Sequence, residues 1–210
     1  MNAFWNLFMN SPRREPKRLI VLMARIVILT LMAMVLMGSS AEPGQGVDAQ
    51  KVRKIQAAYL LNFLKFMKWP DSKHASDDSP LVIGVVGDDS FARTLGRTVK
   101  NKTVRGRPVE ILRLVPRDIQ SGLNKQYKSC HLLFVASTQE RNVLRWIPEL
   151  HRASVVTVSD LPDFARRGGM IGFVVKERKI RFQANVQSIR KSEVVVSSKL
   201  LKLAEIVESK

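Results

Sequence analysis

Between residues 51 and 69, apolar side chains recur at three- and four-residue steps, which predicts an amphipathic helix. The apolar stripe consists of Val52, Ile55, Tyr59, Leu60, Phe63, Phe66 and Met67. Most lysines and arginines of the segment fall outside this stripe, and Pro70, which has no amide hydrogen to donate, ends the helix. Residues 42–50, before the helix, are rich in glycine and polar side chains and are predicted to form a flexible lead-in.

From residue 81 onward, short unbroken apolar runs alternate with segments of helical pattern. The predicted strands are 81–87, 109–115, 131–137 and 154–160, followed by a hairpin over 170–186 that is split around 176–179. The predicted helices begin near Ser90, cover 139–150, cover 161–168 up to Gly168, and cover 186–207. The sequence therefore predicts one α/β domain over residues 51–210. Its mainly parallel open sheet has about five to six strands, flanked by helices, with the antiparallel hairpin at one edge.

The chain begins with the three-part pattern of an export signal. Four basic residues between positions 13 and 18 precede an apolar run over 26–37, and small side chains follow at 39–41. We therefore expect residues 1–41 to be a signal peptide, cleaved near Ala41, and the protein to be periplasmic. A retained membrane anchor is the alternative, because the apolar stretch 19–37 is nearly long enough to span a bilayer.

Basic side chains exceed acidic ones by a wide margin. The chain has 35 Lys and Arg against 18 Asp and Glu, and the first 41 residues hold only five and one of these, so the remainder keeps a net charge of +13. Such a surplus favours anionic partners, which include acidic protein faces, lipid head groups and nucleic acid. Export argues against nucleic acid, as does the lack of a basic, aromatic-rich strand.

The ends of two predicted strands carry acidic side chains, and ligands of open α/β sheets bind at the carboxyl ends of strands. Asp88 and Asp89 resemble the magnesium-binding pair of a receiver domain, but the third predicted strand ends at Ser137 without a phosphorylatable aspartate. We therefore expect the acidic pair to cap a helix. Ser159 and Asp160 could supply a nucleophile or a ligand-binding group, but no histidine is placed to activate the serine, and helix capping is favoured.

Further candidate residues are glycines and cations. Gly168 and Gly169 lack the pattern of a nucleotide-binding loop and are expected to terminate a helix and lead tightly into the next strand. Two cationic clusters are either solvated faces or interaction surfaces. They contain Lys100, Lys102, Arg105 and Arg107 around a turn, and Arg178, Lys179 and Arg181 beside the hairpin.

No constellation of residues indicates catalysis. The three histidines and the single cysteine, Cys130, show no metal-ligand spacing, so no catalytic residue, cofactor or metal site is predicted. A single cysteine also excludes an intrachain disulfide. Because Cys130 opens an apolar run, we expect it to be a small buried core residue, with an intermolecular disulfide as the alternative. The chain is therefore interpreted as a binding domain.

Several segments together resemble the YfiR family of secreted proteins, over residues 54 to about 207. They include AAYLLNFLKFMKWP, LVIGVVGDDSFARTL and CHLLFVAS, and most distinctly TVSDLPDFARRGGMIGF, IRFQAN and SSKLLKLA. The resemblance implies a periplasmic, non-catalytic α/β protein. Such a protein binds and represses the periplasmic sensor domain of an inner-membrane diguanylate cyclase, which lowers cyclic di-GMP and biofilm formation. It also implies a homodimer.

This chain departs from the disulfide-bearing members of that family, because it lacks paired cysteines. The candidate ligand or partner surface comprises Ser159, Asp160, Gly168, Gly169, Arg181 and Asn185, which match the family pattern, together with Lys102, Arg105 and Arg107. For the matching residues a structural role is favoured over binding. The alternative function is a periplasmic small-ligand-binding component of a sensing or uptake system, with its ligand beside Ser137 and Ser159. A hydrolase with a diffuse active site is the least favoured hypothesis.

Overall fold

The computed structural model describes residues 48–115 and 125–209; the predicted signal peptide 1–41 and residues 42–47 of the predicted lead-in lie outside this part of the chain. The helices are α1 Ala49–Phe66, α2 Asp89–Val99, α3 Glu140–Arg152, α4 Val186–Arg190 and α5 Ser198–Leu201. The strands are β1 Met67–Lys68, β2 Leu81–Val86, β3 Thr103–Val104, β4 Arg107–Leu114, β5 Leu132–Val135, β6 Val156–Ser159, β7 Ile171–Lys176, β8 Lys179–Asn185, β9 Val195–Val196 and β10 Glu205–Val207.

Eight of the described strands form one sheet in the order β10-β8-β7-β6-β5-β2-β4-β3. The pairs β4–β2, β2–β5, β5–β6 and β6–β7 are parallel, and β10 lies parallel to β8. The hairpin β7–β8 and the edge pair β3–β4 are antiparallel. This confirms the mainly parallel α/β sheet and its hairpin. The sheet exceeds the five to six predicted strands because the short strands β3 and β10 extend its two edges.

The sheet separates two hydrophobic layers, which explains the unbroken apolar runs. Along β5, Leu132 and Phe134 belong to the layer under α1 and α2, whereas Leu133 and Val135 belong to the layer under α3. Successive side chains of a strand point to opposite faces, so a strand covered on both faces needs apolar residues at every position. Cys130 lies in the second layer and is fully buried, as predicted for a core residue.

Helix α1 forms the centre of the first layer. Its apolar stripe places Phe63 against Phe173 and Phe182 of the hairpin, with ring centroids 6.1 and 5.1 Å away. The helix begins two residues earlier than predicted, because Asp48 caps it by accepting a hydrogen bond from the Gln50 backbone N–H at 3.0 Å. Among the described residues, no helix combines the length and apolar character needed to cross a membrane.

The predicted C-terminal helix over 186–207 is wrong. This segment forms two short helices, α4 and α5, and two strands, β9 and β10. The β-branched pair Val195–Val196 joins β1 in a ribbon, and Glu205–Val207 joins the free edge of β8. Backbone pairing with these partners therefore outweighs the helical preference of a segment that β-branched residues interrupt.

The predicted helix over 161–168 is also wrong, because these residues form consecutive turns. Pro162 opens the segment, and Asp163 has a φ of 56°, which a right-handed helix does not allow. Gly168 has a φ of 96°, and the N–H of Gly169 donates to the Phe164 carbonyl at 2.9 Å. A Cβ on Gly169 would lie 2.2 Å from the Phe164 ring, so the chain requires glycine where it enters β7.

Candidate functional site

The order of the strands places a crevice at the carboxyl ends of β2 and β5. From β2 the chain passes to β4 on one side and then returns to β5 on the other. Ligands of open α/β sheets bind at such a switch point. Here the crevice contains Arg53, which extends from the first turns of α1.

Arg53 forms the centre of an ion cluster that we call the Arg53 cluster, made of Arg53, Gln56, Asp88 and Asp160. Its Nη2 lies 2.8 Å from Oδ2 of Asp88, and its Nη1 lies 2.8 Å from Oδ2 of Asp160. Nη1 also donates to Oε1 of Gln56, one turn along the same helix face, at 2.9 Å. One guanidinium therefore joins carboxylates that follow two different strands.

Each carboxylate of the cluster is also fixed by the backbone. Oδ1 of Asp88 accepts the Phe91 N–H at 2.8 Å and caps α2, as predicted for this aspartate. Oδ1 of Asp160 accepts the Ser137 N–H, which follows β5, at 2.8 Å. The cluster thus ties α1 to the segments that follow β2, β5 and β6.

The same guanidinium lies over aromatic side chains. Its Cζ is 5.2 Å from the ring centroid of Phe91 and 5.8 Å from that of Phe134, within the range of cation–π attraction. The side chain of Arg53 keeps 28% of its surface exposed, against 17% for Asp88 and 19% for Asp160. The cluster therefore closes the crevice while staying in contact with solvent.

Two grooves lie beside the Arg53 cluster. The α1–α2 groove, of about 720 Å³, is lined by Ala49, Gln50, Arg53, Lys54, Asp88, Ser90, Thr94, Arg97 and Thr98. The hairpin groove, of about 500 Å³, is lined by Val52, Gln56, Asp160, Pro162, Asp163, Phe173, Val174, Val175 and Ile180. The first is rich in hydroxyl groups and cations, and the second is mostly apolar with an acidic rim.

The predicted residues Ser159 and Asp160 lie at this end of the sheet. The Ser159 hydroxyl is fully buried, donates to the Val135 carbonyl at 2.6 Å and accepts the Leu161 N–H at 3.0 Å. These bonds use the hydroxyl to hold the turn after β6. Asp160 caps no helix, because residues 161–168 form turns, and its carboxylate instead belongs to the Arg53 cluster.

Gly168, Gly169 and Asn185 form a second group. Asn185 is fully buried, and its Nδ2 donates to the Ala165 carbonyl at 2.7 Å and to Oγ of Ser209 at 2.9 Å. Its Oδ1 accepts the Ser188 N–H at 2.9 Å, which caps α4. The Ser188 hydroxyl in turn donates to the Gly168 carbonyl at 2.9 Å. This group fastens the turns before β7 to the end of β8.

The remaining predicted residues lie elsewhere. Arg181 is exposed on β8, paired in register with Val174. Lys102, Arg105 and Arg107 surround the β3–β4 turn, where Lys102 is exposed. The nine predicted residues are therefore distributed over separate places on the molecule.

Sequence reasoning missed Arg53 and a pair of histidines. Trp69 packs against His131 and donates to its carbonyl at 2.9 Å, and Nε2 of His131 lies 3.2 Å from Nδ1 of His74. Burial and the neighbouring His74 lower the pKa of His131 to about 3, so its ring is neutral. In the sequence, the only indication of a role for Arg53 is weak: it is a cation at the margin of the apolar stripe of α1.

Near these histidines, a lysine is also held in a low-dielectric environment. Nζ of Lys73 donates to the carbonyls of Lys128 and Ala153, both at 2.6 Å, and burial lowers its pKa to about 8. Burial raises the pKa of the Cys130 thiol to about 12, so the thiol stays protonated. Lys73 therefore binds backbone carbonyls, and Cys130 is an unreactive core residue.

The fold and this site define an α/β domain whose carboxyl-end crevice is closed by an ion cluster. Within residues 48–115 and 125–209, no group of three or more His, Cys, Asp or Glu side chains could hold a metal ion. A family model described as YfiR/HmsC-like matches residues 53–205, and the chain belongs to this family, as the sequence resemblance indicated. The family is regulatory and is connected with diguanylate cyclase signalling. A search of curated proteins finds no match to the chain.

Proposed function

We propose that this protein is a periplasmic, non-catalytic repressor of an inner-membrane diguanylate cyclase, which it binds through the cyclase's periplasmic sensor domain. The observation that carries the proposal is the family match over residues 53–205, which covers nearly all of the described domain. The N-terminal sequence supports export, because it has the order of a signal peptide. In this proposal the mature protein is a homodimer that lowers cyclic di-GMP and biofilm formation.

Repression requires the protein to bind the inactive state of the sensor more tightly than the active state. A net charge of +13 over residues 42–210 supports fast encounter with an acidic sensor face close to the membrane. The Arg53 cluster supports this role in another way. It fixes α1 to three loops, so the domain offers a preorganised surface that loses little entropy on binding.

Affinity capture tests the proposal. The tagged, exported protein is incubated with detergent-solubilised membranes of the source organism, and retained proteins are identified by mass spectrometry. We expect a membrane protein with a periplasmic sensor and a GGDEF output domain, displaced by excess untagged protein and weakened by added salt. Capture of a transporter or outer-membrane receptor alone, or of nothing that untagged protein displaces, would contradict the proposal.

A small-ligand-binding function is the second candidate, and the α1–α2 groove favours it. The groove holds about 720 Å³ and combines the cations Lys54 and Arg97 with the hydroxyls of Ser90 and Thr94. This volume lies within the range of small-molecule sites. Amino acids, vitamins and sugars that raise the melting temperature would support it by mass action on the folded state, and a flat response would count against it.

A further inference from the structure

A small pocket lies at the opposite end of the sheet from the Arg53 cluster, beside the β3–β4 turn. It has a volume of about 160 Å³, the room of roughly five water molecules at about 30 Å³ each. The cations Lys68, Arg105 and Arg107 line it together with His74, and Asp71 is the carboxylate among its lining residues. We call it the β3 pocket. Its size suits a small ion.

Arg107 is held rigidly in the wall of the pocket. Its Nη1 donates to the carbonyl of Ser76 at 2.8 Å, and to the carbonyl and hydroxyl of Ser79 at 3.0 Å each. Its Nη2 lies 3.9 Å from the carboxylate of Asp77, whose side chain is fully exposed, so this pair is loose. The guanidinium of Arg107 is therefore anchored through Nη1, while Nη2 has only a weak ion pair. Such a group is preorganised to bind an anion.

Arg105 also lines the pocket, and its residue is exposed. Its Nη2 donates to the Lys65 carbonyl, at the end of α1, at 3.0 Å. Its backbone has a φ of 54°, the left-handed conformation, which turns the chain between β3 and β4. Two arginines from one turn and Lys68, two residues after the end of α1, therefore line the same pocket.

The histidine pair determines what His74 offers to the pocket. Nδ1 of His131 accepts the Val82 N–H at 3.0 Å, so the proton of this neutral ring lies on Nε2. Nε2 therefore donates to Nδ1 of His74, 3.2 Å away. The neutral His74 ring then carries its own proton on Nε2, so His74, which lines the pocket, has an N–H that can donate to a ligand.

We propose that the β3 pocket is a binding site for a small tetrahedral oxyanion of the phosphate or sulfate type, held by Lys68, Arg105 and Arg107 with His74 as a neutral donor. The same chemistry is present in free phosphate and in the head group of an anionic phospholipid. Asp71 opposes the anion, so its charge sets the affinity and offers a sensitive test. The site does not depend on the proposed diguanylate cyclase partner.

The test is calorimetric titration of inorganic phosphate into the protein purified after expression of the full chain, with ionic strength held constant by sodium chloride. We expect saturable binding to one site. Lys68→Gln and Arg105→Gln should each weaken it about fivefold or more, and Asp71→Asn should strengthen it about twofold or more. Lys102→Gln is the matched control, because Lys102 is exposed and near the turn but does not line the pocket.

Vesicles distinguish the two sources of the anion. Binding to phosphatidylglycerol vesicles, relative to phosphatidylcholine vesicles, is measured for the same variants. A loss specific to Lys68→Gln and Arg105→Gln identifies a lipid head group, and unchanged vesicle binding beside saturable phosphate binding identifies the free ion. The proposal is overturned if neither phosphate nor vesicles bind in a way that depends on these two residues, or if Lys102→Gln weakens binding equally. Thermal unfolding of each variant without phosphate shows that it is folded.

Discussion

At the scale of single residues, Arg53 makes several structural contacts at once. It neutralises two carboxylates, bonds to Gln56 and covers two aromatic rings. Removing one partner of such a cluster leaves the other charges partly buried and unpaired, which costs more than the pair itself contributes. Because the cluster keeps some exposure, solvent reduces this cost.

We therefore predict that Arg53→Met lowers the free energy of unfolding by about 1–3 kcal/mol. The measurement is urea-induced unfolding followed by circular dichroism. Lys54→Met is the matched control, because Lys54 is exposed on the next position of α1, and it should change stability by less than about 0.5 kcal/mol. Equal stability of the two variants would show that the Arg53 cluster does not hold the crevice closed.

Two buried histidines predict a loss of stability in mild acid. Burial lowers the pKa of His131 to about 3 and that of His151 to about 4, and Nε2 of His151 is a buried atom without a hydrogen-bond partner among the described residues. The unfolded chain binds these protons at the ordinary value of about 6.5. The stability that these two histidines contribute is therefore complete above pH 6.5 and is lost as the pH falls through the window down to about 3.

The melting temperature should accordingly be at least about 5 °C lower at pH 5 than at pH 7.5. At pH 5 the carboxylates still carry most of their charge, so the histidines dominate the difference. In His151→Leu the difference should be smaller, because one of the histidines with a lowered pKa is absent. A melting temperature that is the same at both pH values, or a His151→Leu variant with the full loss, contradicts this assignment.

At the scale of secondary structure, the local sequence pattern predicted those helices and strands whose packing in the fold agrees with that pattern. Helix α1 and the parallel strands were predictable, because an apolar stripe and unbroken apolar runs each have one stable arrangement in a covered sheet. The segment 186–207 was not, because its strands β9 and β10 exist through pairing with β1 and β8, which lie far away in the sequence. Arg53 was missed for the same reason, since both its carboxylate partners come from later loops.

Two glycines test the packing around α2 and before β7, because one has open space beside it and the other is in close contact with a buried ring. A Cβ on Gly96, inside α2, would meet nothing within 4 Å, so Gly96→Ala should stabilise the protein by about 0.5–1 kcal/mol. A Cβ on Gly169 would lie 2.2 Å from the fully buried Phe164 ring, so Gly169→Ala should destabilise it by about 1–3 kcal/mol.

Chemical denaturation of both glycine variants, alongside the wild type, gives the two free-energy changes. Gly169 lies in the segment TVSDLPDFARRGGMIGF, which resembles the family. The result therefore also tests whether this glycine is needed for packing or for binding. If Gly169→Ala is as stable as the wild type, the turn before β7 tolerates a side chain. A binding role for this glycine would then be favoured over the packing role described above.

At the scale of the whole molecule, the Arg53 cluster and the β3 pocket lie at opposite ends of the sheet. The Arg53 cluster and its two grooves lie at the carboxyl ends of the parallel strands, and the β3 pocket lies at the other end. Membership of the YfiR/HmsC-like family assigns the domain to regulation, and the basic surplus suits an anionic or acidic partner.

The most direct measurement is the cellular concentration of cyclic di-GMP after deletion of the gene. The proposed repressor role predicts that the concentration rises on deletion and returns when the full chain is expressed. Residues 42–210 expressed without the predicted export signal should fail to restore the low cyclic di-GMP concentration, because they would stay in the cytoplasm while the proposed sensor domain is periplasmic. A cyclic di-GMP concentration that deletion leaves unchanged under every envelope condition tested would contradict the proposed repressor role.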